Sequence, residues 1–300
     1  MTRVAAIDLG TNSTRLLVAD IEDGSLTEVV RRLTITRLGE GVDERHRLLP
    51  LPIARVRNCL ADYRRELESL GATRTLAVAT SAVRDAENGE AFLGEVEWSY
   101  DFTTRLLSGD EEADLTLRGI GELAAGTLVV DIGGGSTELQ VVGTDLRTSL
   151  QVGCVRLTER FGEDVDAIRA QVRELLPELE PDRAVGVAGT VTTVAALDLE
   201  LAEYDAERIH GHSISRQAAA AQLDRLAGLS LEERVALGIE PGRASVIVAG
   251  AAILLEILDR YGLDAIEASE RDILHGAALA AAELPDPVEG DAPPGAFTCC

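Results

Sequence analysis

Val130-Asp131-Ile132-Gly133-Gly134-Gly135-Ser136-Thr137-Glu138 is the stretch from which the fold of this chain can be read. Thr127-Leu128-Val129-Val130 before the glycines and Leu139-Gln140-Val141-Val142 after them are strand-like, so the glycines form the tip of a hairpin. Three consecutive glycines open backbone conformations closed to other residues and let main-chain N–H groups approach phosphate oxygens. Ser136 and Thr137 add hydroxyl donors. Asp131, at a strand end, suits a divalent cation or its water, and Glu138, one turn further on, offers a second carboxylate. A glycine-rich turn without a ligand is the plain alternative, and the flanking acids and hydroxyls argue against it.

A second copy lies upstream. Val4-Ala5-Ala6-Ile7 leads into Asp8-Leu9-Gly10-Thr11-Asn12-Ser13 and out through Leu16 to Ala19, before a turn at Glu22-Asp23-Gly24. An Asp-X-Gly turn is common by itself; repeated, it becomes a second phosphate loop, with Gly10, Thr11, Asn12 and Ser13 as candidate contacts. Arg15 just beyond is a phosphate ligand or a surface cation. Between the copies, Ile53 to Leu70 has helical apolar spacing, Thr75 to Ala79 is a buried strand, and a helix begins at Gly109. After the second hairpin come a helix over Val165 to Leu179, a strand over Ala184 to Ala188 and a mostly helical region to Ala282. Two α/β halves of common order predict a duplicated architecture around a cleft, with domains at 1–122 and 123–284. The Pro/Gly-rich 285–300 reads as a disordered tail.

Composition narrows the partners. A net charge of -24 and 3% aromatic residues exclude a basic, base-stacking surface for nucleic acid and passive attraction to anionic lipid. All 28 basic residues are arginine, so a Walker A lysine and a Schiff-base lysine are excluded as well. A phosphate site must therefore be made locally positive by arginine, backbone N–H groups and metal. Cys59, Cys154, Cys299 and Cys300 lack metal-ligand spacing and read as reduced thiols. No signal-peptide pattern or membrane-length apolar run is present, which predicts a cytoplasmic protein.

Other segments carry chemistry less plainly. Ser108-Gly109-Asp110-Glu111-Glu112-Ala113 delivers two adjacent carboxylates at a helix start, where acidity is ordinary, yet phosphoanhydride hydrolysis needs a base to orient water. Arg84, after Ala79-Thr80-Ser81-Ala82-Val83, sits where a strand's carboxyl end presents it to a cleft, or merely where a helix begins. Val187-Ala188-Gly189-Thr190 is a third strand-to-helix glycine turn, compatible with closing a site through Gly189 and Thr190 and equally with tight packing. His210-Gly211-His212 is insufficient for a metal.

Together these segments, with Gly153-Cys154-Val155-Arg156-Leu157-Thr158-Glu159, resemble the exopolyphosphatase/guanosine pentaphosphate phosphohydrolase family of the actin-like ATPase superfamily, from about Val4 to Leu284. The resemblance implies two actin-like (ribonuclease H-like) α/β domains flanking a cleft and release of terminal phosphate from polyphosphate or from the 5′ end of pppGpp. It further implies Mg²⁺, with Mn²⁺ as a substitute, and a homodimer. By motif, the base falls in the Glu111-Glu112 pair with Glu112 taken first; Asp8, Asp131 and Glu138 organise metal and attacking water, Glu138 also counting among the catalytic groups. Gly10 to Ser13 and Gly133, Gly134, Gly135, Ser136 and Thr137 match the phosphate loops, and Arg84 a substrate-facing arginine. Longer members carry a helical C-terminal portion and lysines along the polyphosphate path; without these, short chains are the expected substrate. A kinase of the same superfamily and a non-catalytic sensor are the rivals, the first set aside by the paired carboxylates.

Overall fold

The computed structural model describes residues 1–285. The tail expectation for 285–300, like Cys299 and Cys300, lies outside these apart from Pro285. The first lobe opens with strands β1 (Thr2–Leu9), β2 (Ser13–Glu22) and β3 (Ser25–Ile35). β1 sits mid-sheet and, beyond its first two residues, is buried throughout, which is why Val4 to Leu9 is an almost unbroken apolar run. Asp23 and Gly24 both take positive φ, 49° and 79°, the two-residue turn that matches strand twist. Sequence reading stopped at that turn; β3 follows it as a half-exposed edge strand without clean alternation.

Strands β4 (Arg74–Ala79) and β5 (Thr103–Leu106) complete a five-stranded sheet of order β3-β2-β1-β4-β5, antiparallel on the β3 side and parallel on the other. The second lobe holds β6 (Thr127–Ile132), β7 (Thr137–Val141), β8 (Arg147–Leu150), β9 (Arg183–Val187), β10 (Ser213–Ser215) and β11 (Ala265–Ala268) in the order β10-β11-β9-β6-β7-β8. Read as β8-β7-β6-β9-β11, it repeats the first sheet's order and directions, with β10 added at the edge. This is the duplicated α/β architecture expected from the repeated hairpin.

Helices Pro50–Leu70 and Gly89–Tyr100 cover one face of the first sheet through Val56, Leu60, Phe92 and Val96. Its other face is covered from the opposite end of the chain: helix Ile273–Ala281 brings Ile273, Ala277 and Ala281 against Val4, Ala6, Leu17 and Val78. The first lobe is thus built from both chain ends. A Cβ on Gly276 would meet the Leu115 carbonyl at 1.9 Å, and one on Gly119 the Asp272 carbonyl at 1.9 Å. Helices Gly109–Ile120 and Ile273–Ala281 therefore cross backbone to backbone, and no side chain fits between them.

Candidate active site

The two hairpins share one turn. Gly10 N–H donates to the Ser13 carbonyl at 3.0 Å, and Gly133 N–H to the Ser136 carbonyl at 3.0 Å. None of Gly133, Gly134 and Gly135 takes positive φ, so the expectation that the triple glycine serves unusual backbone angles is corrected: these glycines serve close approach. A Cβ on Gly134 would stand 2.9 Å from Thr11 Cβ and 3.2 Å from Asn12 N, and one on Gly135 2.9 Å from Thr11 Oγ1. The hairpins meet tip to tip.

Their carbonyls are turned away from the opening. Gly133 O accepts from Cys154 N, and Gly134 O from Val155 N and Arg156 N, at the start of helix Cys154–Phe161; Gly135 O accepts from Arg156 Nε at 2.6 Å. Since C=O and N–H of a trans peptide point oppositely, the N–H groups of Gly134, Gly135 and Ser136 face the other way, toward the cleft. In the first hairpin, Thr11 O accepts from Gly39 N, and Asn12 O from Thr36 N and Arg37 N. Among the described residues Asn12 Oδ1 is buried without a hydrogen-bond partner.

Buried carboxylates gather beside these tips: Asp8, Glu112, Asp131, Glu138 and Asp272. Asp131 and Glu138 face each other across the β6–β7 pairing, so Glu138 lies directly opposite Asp131 rather than a turn further along. Thr116 Oγ1 donates to Asp131 Oδ2 at 3.3 Å, and Ser149 Oγ to Glu138 Oε1 at 2.7 Å. Asp8 is paired in register with Arg15, whose Nε donates to Asp8 Oδ2 at 2.9 Å and whose Nη1 donates to Asp272 Oδ2.

Glu111 and Glu112 separate completely. Glu111 is spent on the helix start: it accepts from Ser108 N at 2.9 Å while Ser108 Oγ caps Glu111 N, and it remains exposed beside Arg105. As a base it is therefore out of place. Glu112, one residue on and about 100° around the helix, is buried toward Asp131 and Glu138, with Arg84 Nη1 donating to Oε2 at 2.8 Å. Burial first, then Glu138, hold its carboxyl well above the ordinary range, with Arg84 opposing. Burial and Glu138 likewise push Asp131 up to about 8, and burial raises Glu138 and Asp8. Crowded, desolvated carboxylates of this kind call for a cation.

Among the described residues, no group of three or more His, Cys, Asp and Glu closes around a metal. The donors fit a hard cation that takes one or two carboxylates and completes its shell with water and phosphate, the habit of Mg²⁺. Asp8, Asp131 and Glu138, the carboxylates that the sequence assigned to metal, all line the cleft.

The cleft encloses about 470 Å³ and is lined by Asp8, Gly10 to Ser13, Arg15, Glu112, Asp131, Gly133 to Ser136, Glu138, Gly189 and Thr190. Three sequence candidates stand off its wall. Thr137 is buried, donating its hydroxyl to Val152 O at 2.6 Å, so it ties down the hairpin rather than phosphate. Arg84 stands behind Glu112, its Nη1 donating to the Glu112 carboxylate and to Leu107 O. Glu111 is the third. Sequence reading missed Asp272, which caps helix Ile273–Ala281 while gripping Arg15. It also missed Arg243, which lines the cleft flat against Gly189 and donates to Thr193 Oγ1 at 3.1 Å. Ala188, entering that turn, carries a positive φ of 65°, a strained non-glycine conformation at the edge of the site.

The signature of the Ppx/GppA phosphatase family matches residues 17–283. The exopolyphosphatase 2 of Mycobacterium tuberculosis is 41% identical over 319 residues, spanning 94% of this chain and 99% of that protein. The guanosine-5'-triphosphate,3'-diphosphate pyrophosphatase of Vibrio vulnificus is 33% identical over 284 residues, spanning 87% of this chain and 56% of its own length. Among solved structures, the Aquifex aeolicus Ppx/GppA protein superposes with a TM-score of 0.76 at 29% identity, covering 94% of this chain and 98% of that one.

Proposed function

Because the chain belongs to the Ppx/GppA phosphatase family, we propose that it is an exopolyphosphatase, releasing the terminal phosphate of inorganic polyphosphate by attack of water. The observation that carries this reading is Glu112: a buried carboxylate fixed by Arg84 at 2.8 Å, beside the N–H groups of two phosphate hairpins. The N–H groups of Gly134, Gly135 and Ser136 grip the terminal phosphoryl oxygens, and Glu112 orients the attacking water and accepts its proton. Arg84 keeps Glu112 in one rotamer. A Mg²⁺ held by Asp131, Glu138 and Asp8 would neutralise charge developing on the phosphoryl oxygens.

A second reading, 5′-phosphate release from pppGpp, is favoured by the apolar wall of the cleft, where Leu197, Leu201, Leu237 and Ile239 are side chains of use to a base and of none to bare phosphate. The test is phosphate release with Mg²⁺ and with Mn²⁺ from polyphosphate, pppGpp and ATP side by side. Preference for polyphosphate supports the first reading, preference for pppGpp the second; equal slow release from all three overturns both. A homodimer and a cytoplasmic setting belong to the same proposal. Among the described residues no helix is long and apolar enough to cross a membrane.

A further inference from the structure

Of the cleft carboxylates that stand away from the hairpin tips, Glu203, Glu240 and Glu270, the last is held by side chains of both lobes. Glu270 lines the cleft with its side chain 10% exposed, and it is engaged from both lobes. From β3 of the first lobe, Arg31 Nη1 donates to Glu270 Oε2 at 2.8 Å and Nη2 to the Glu270 carbonyl at 3.3 Å. From the second lobe, the Tyr204 hydroxyl donates to Glu270 Oε1, and Glu270 N–H donates to His210 Nδ1 at 3.3 Å. Arg31 is braced further by Glu28 and by His275 Nε2 at 3.2 Å.

The bridge has a defined place along the cleft. Asp272, two residues on, grips Arg15 at the carboxylate centre, so the 270–272 segment runs from that centre outward. Tyr204 is 56% exposed, which puts the bridge at the solvent end. For a phosphate chain whose terminal residue occupies the hairpins to leave the cleft past Tyr204, it must pass this bar. Its next phosphates meet a fixed negative charge in a confined space, and the cation that would receive them, Arg31, is already neutralised by Glu270 and Glu28.

We propose that Glu270, held between Arg31 and Tyr204, is the residue that sets how long a phosphate chain the cleft accepts. This rests on the polyphosphate reading of the site. Short chains end before the bar; longer ones must displace Glu270 from Arg31 and then lie beside it.

The experiment compares the parent with Glu270→Gln, Tyr204→Phe and Arg31→Gln, measuring kcat/KM and equilibrium affinity for tripolyphosphate and for polyphosphate of hundreds of residues. Glu270→Gln removes the charge and should raise the long-to-short ratio about ten-fold. Tyr204→Phe loosens the bar without touching the charge and should move the ratio the same way by less. Arg31→Gln removes the cation a long chain would claim and should lower it. A ratio unchanged within about two-fold in both Glu270→Gln and Tyr204→Phe, or lowered by either, overturns the proposal. Affinity is read without turnover. A parent that releases no phosphate from either chain removes the proposed reaction, and the ratio of affinities still decides the role of Glu270.

Discussion

Replacing Glu112 by glutamine separates the chemistry of this site from its architecture. The amide keeps the volume of the side chain and an oxygen for Arg84, which donates at 2.8 Å to Glu112 Oε2, so the pocket keeps its shape. It takes away the group that accepts a proton from water. Base catalysis of this kind is worth about 10²- to 10⁴-fold, or roughly 3 to 5 kcal/mol in the barrier, so kcat for polyphosphate should fall by that factor while KM stays near its parent value. The substitution also relieves a buried negative charge repelled by Glu138 and Asp131, so the melting temperature should hold or rise. Steady-state phosphate release beside a thermal melt reads both. Glu111→Ala gives the contrast: it removes the reciprocal cap on helix Gly109–Ile120, costing about 1 kcal/mol of stability, and leaves kcat within about two-fold. Glu112→Gln retaining more than about a tenth of parent kcat, or Glu111→Ala falling as far, would refute the assignment.

Three further outcomes follow from the geometry. Burial and Glu138 push the Asp131 carboxyl from 3.8 up to about 8, and the folded state then holds a proton the unfolded chain has released, so this group costs stability progressively as pH rises across that interval and costs nothing more above it. In chelator the melting temperature should fall between pH 5 and pH 8, and added Mg²⁺ should raise it more at pH 8 than at pH 5; a flat profile with equal shifts counts against a cation on Asp131. Gly134→Ala drives a Cβ to 2.9 Å from Thr11 Cβ and 3.2 Å from the Asn12 main chain, so it should cost about 1–3 kcal/mol of stability and at least about ten-fold in kcat/KM; an undisturbed kcat/KM would show that the hairpins do not need to touch. Arg243→Gln removes a cleft cation from beside Gly189 and should raise KM about ten-fold, with a shallower dependence on ionic strength, whereas an unchanged KM would place the phosphates elsewhere.

What the sequence disclosed depended on distance along the chain. Each hairpin is contiguous, so its strands, turn and hydroxyls could be read together, and their repetition predicted the duplicated architecture. The Asp8–Arg15–Asp272 group spans most of the chain, and locally Asp272 looks like any helix-capping aspartate. Glu111 and Glu112 could not be ranked by spacing, because adjacent helical residues differ only in the face they take. The deciding fact was local after all: Ser108 three residues before Glu111 is a capping box, which commits Glu111 to the helix end and leaves Glu112 for the interior. Arg84 stands just after a strand's carboxyl end, where the sequence placed it, but the Glu112 carboxylate and Leu107 carbonyl that claim its Nη1 come from segments 28 and 23 residues away and could not be read locally.

The charge of the cleft bears on how a polyanion is bound by a chain of net charge -24. Its arginines supply little free positive charge: Arg15 is committed to Asp8 and Asp272, Arg31 to Glu28 and Glu270, and Arg32 to Glu66. Among the described residues Arg243 is the one cleft-lining arginine without a carboxylate at ion-pair distance. Against it stand Asp131 and Glu138, buried and, among the described residues, without an arginine at ion-pair distance, while Asp8 and Glu112 are held by Arg15 and Arg84. Main-chain N–H groups carry partial charges and cannot by themselves offset that field for a substrate bearing about one charge per phosphate. Positive charge must then come in with the substrate, and polyphosphate in solution carries divalent cations. On the proposed reading, cations that arrive with the substrate add to the one that Asp131 and Glu138 would hold. This separates two kinds of metal dependence. A stored cation would give activity that saturates at one metal concentration whatever the polyphosphate present; a delivered one gives an optimum that tracks the ratio of Mg²⁺ to phosphate residues.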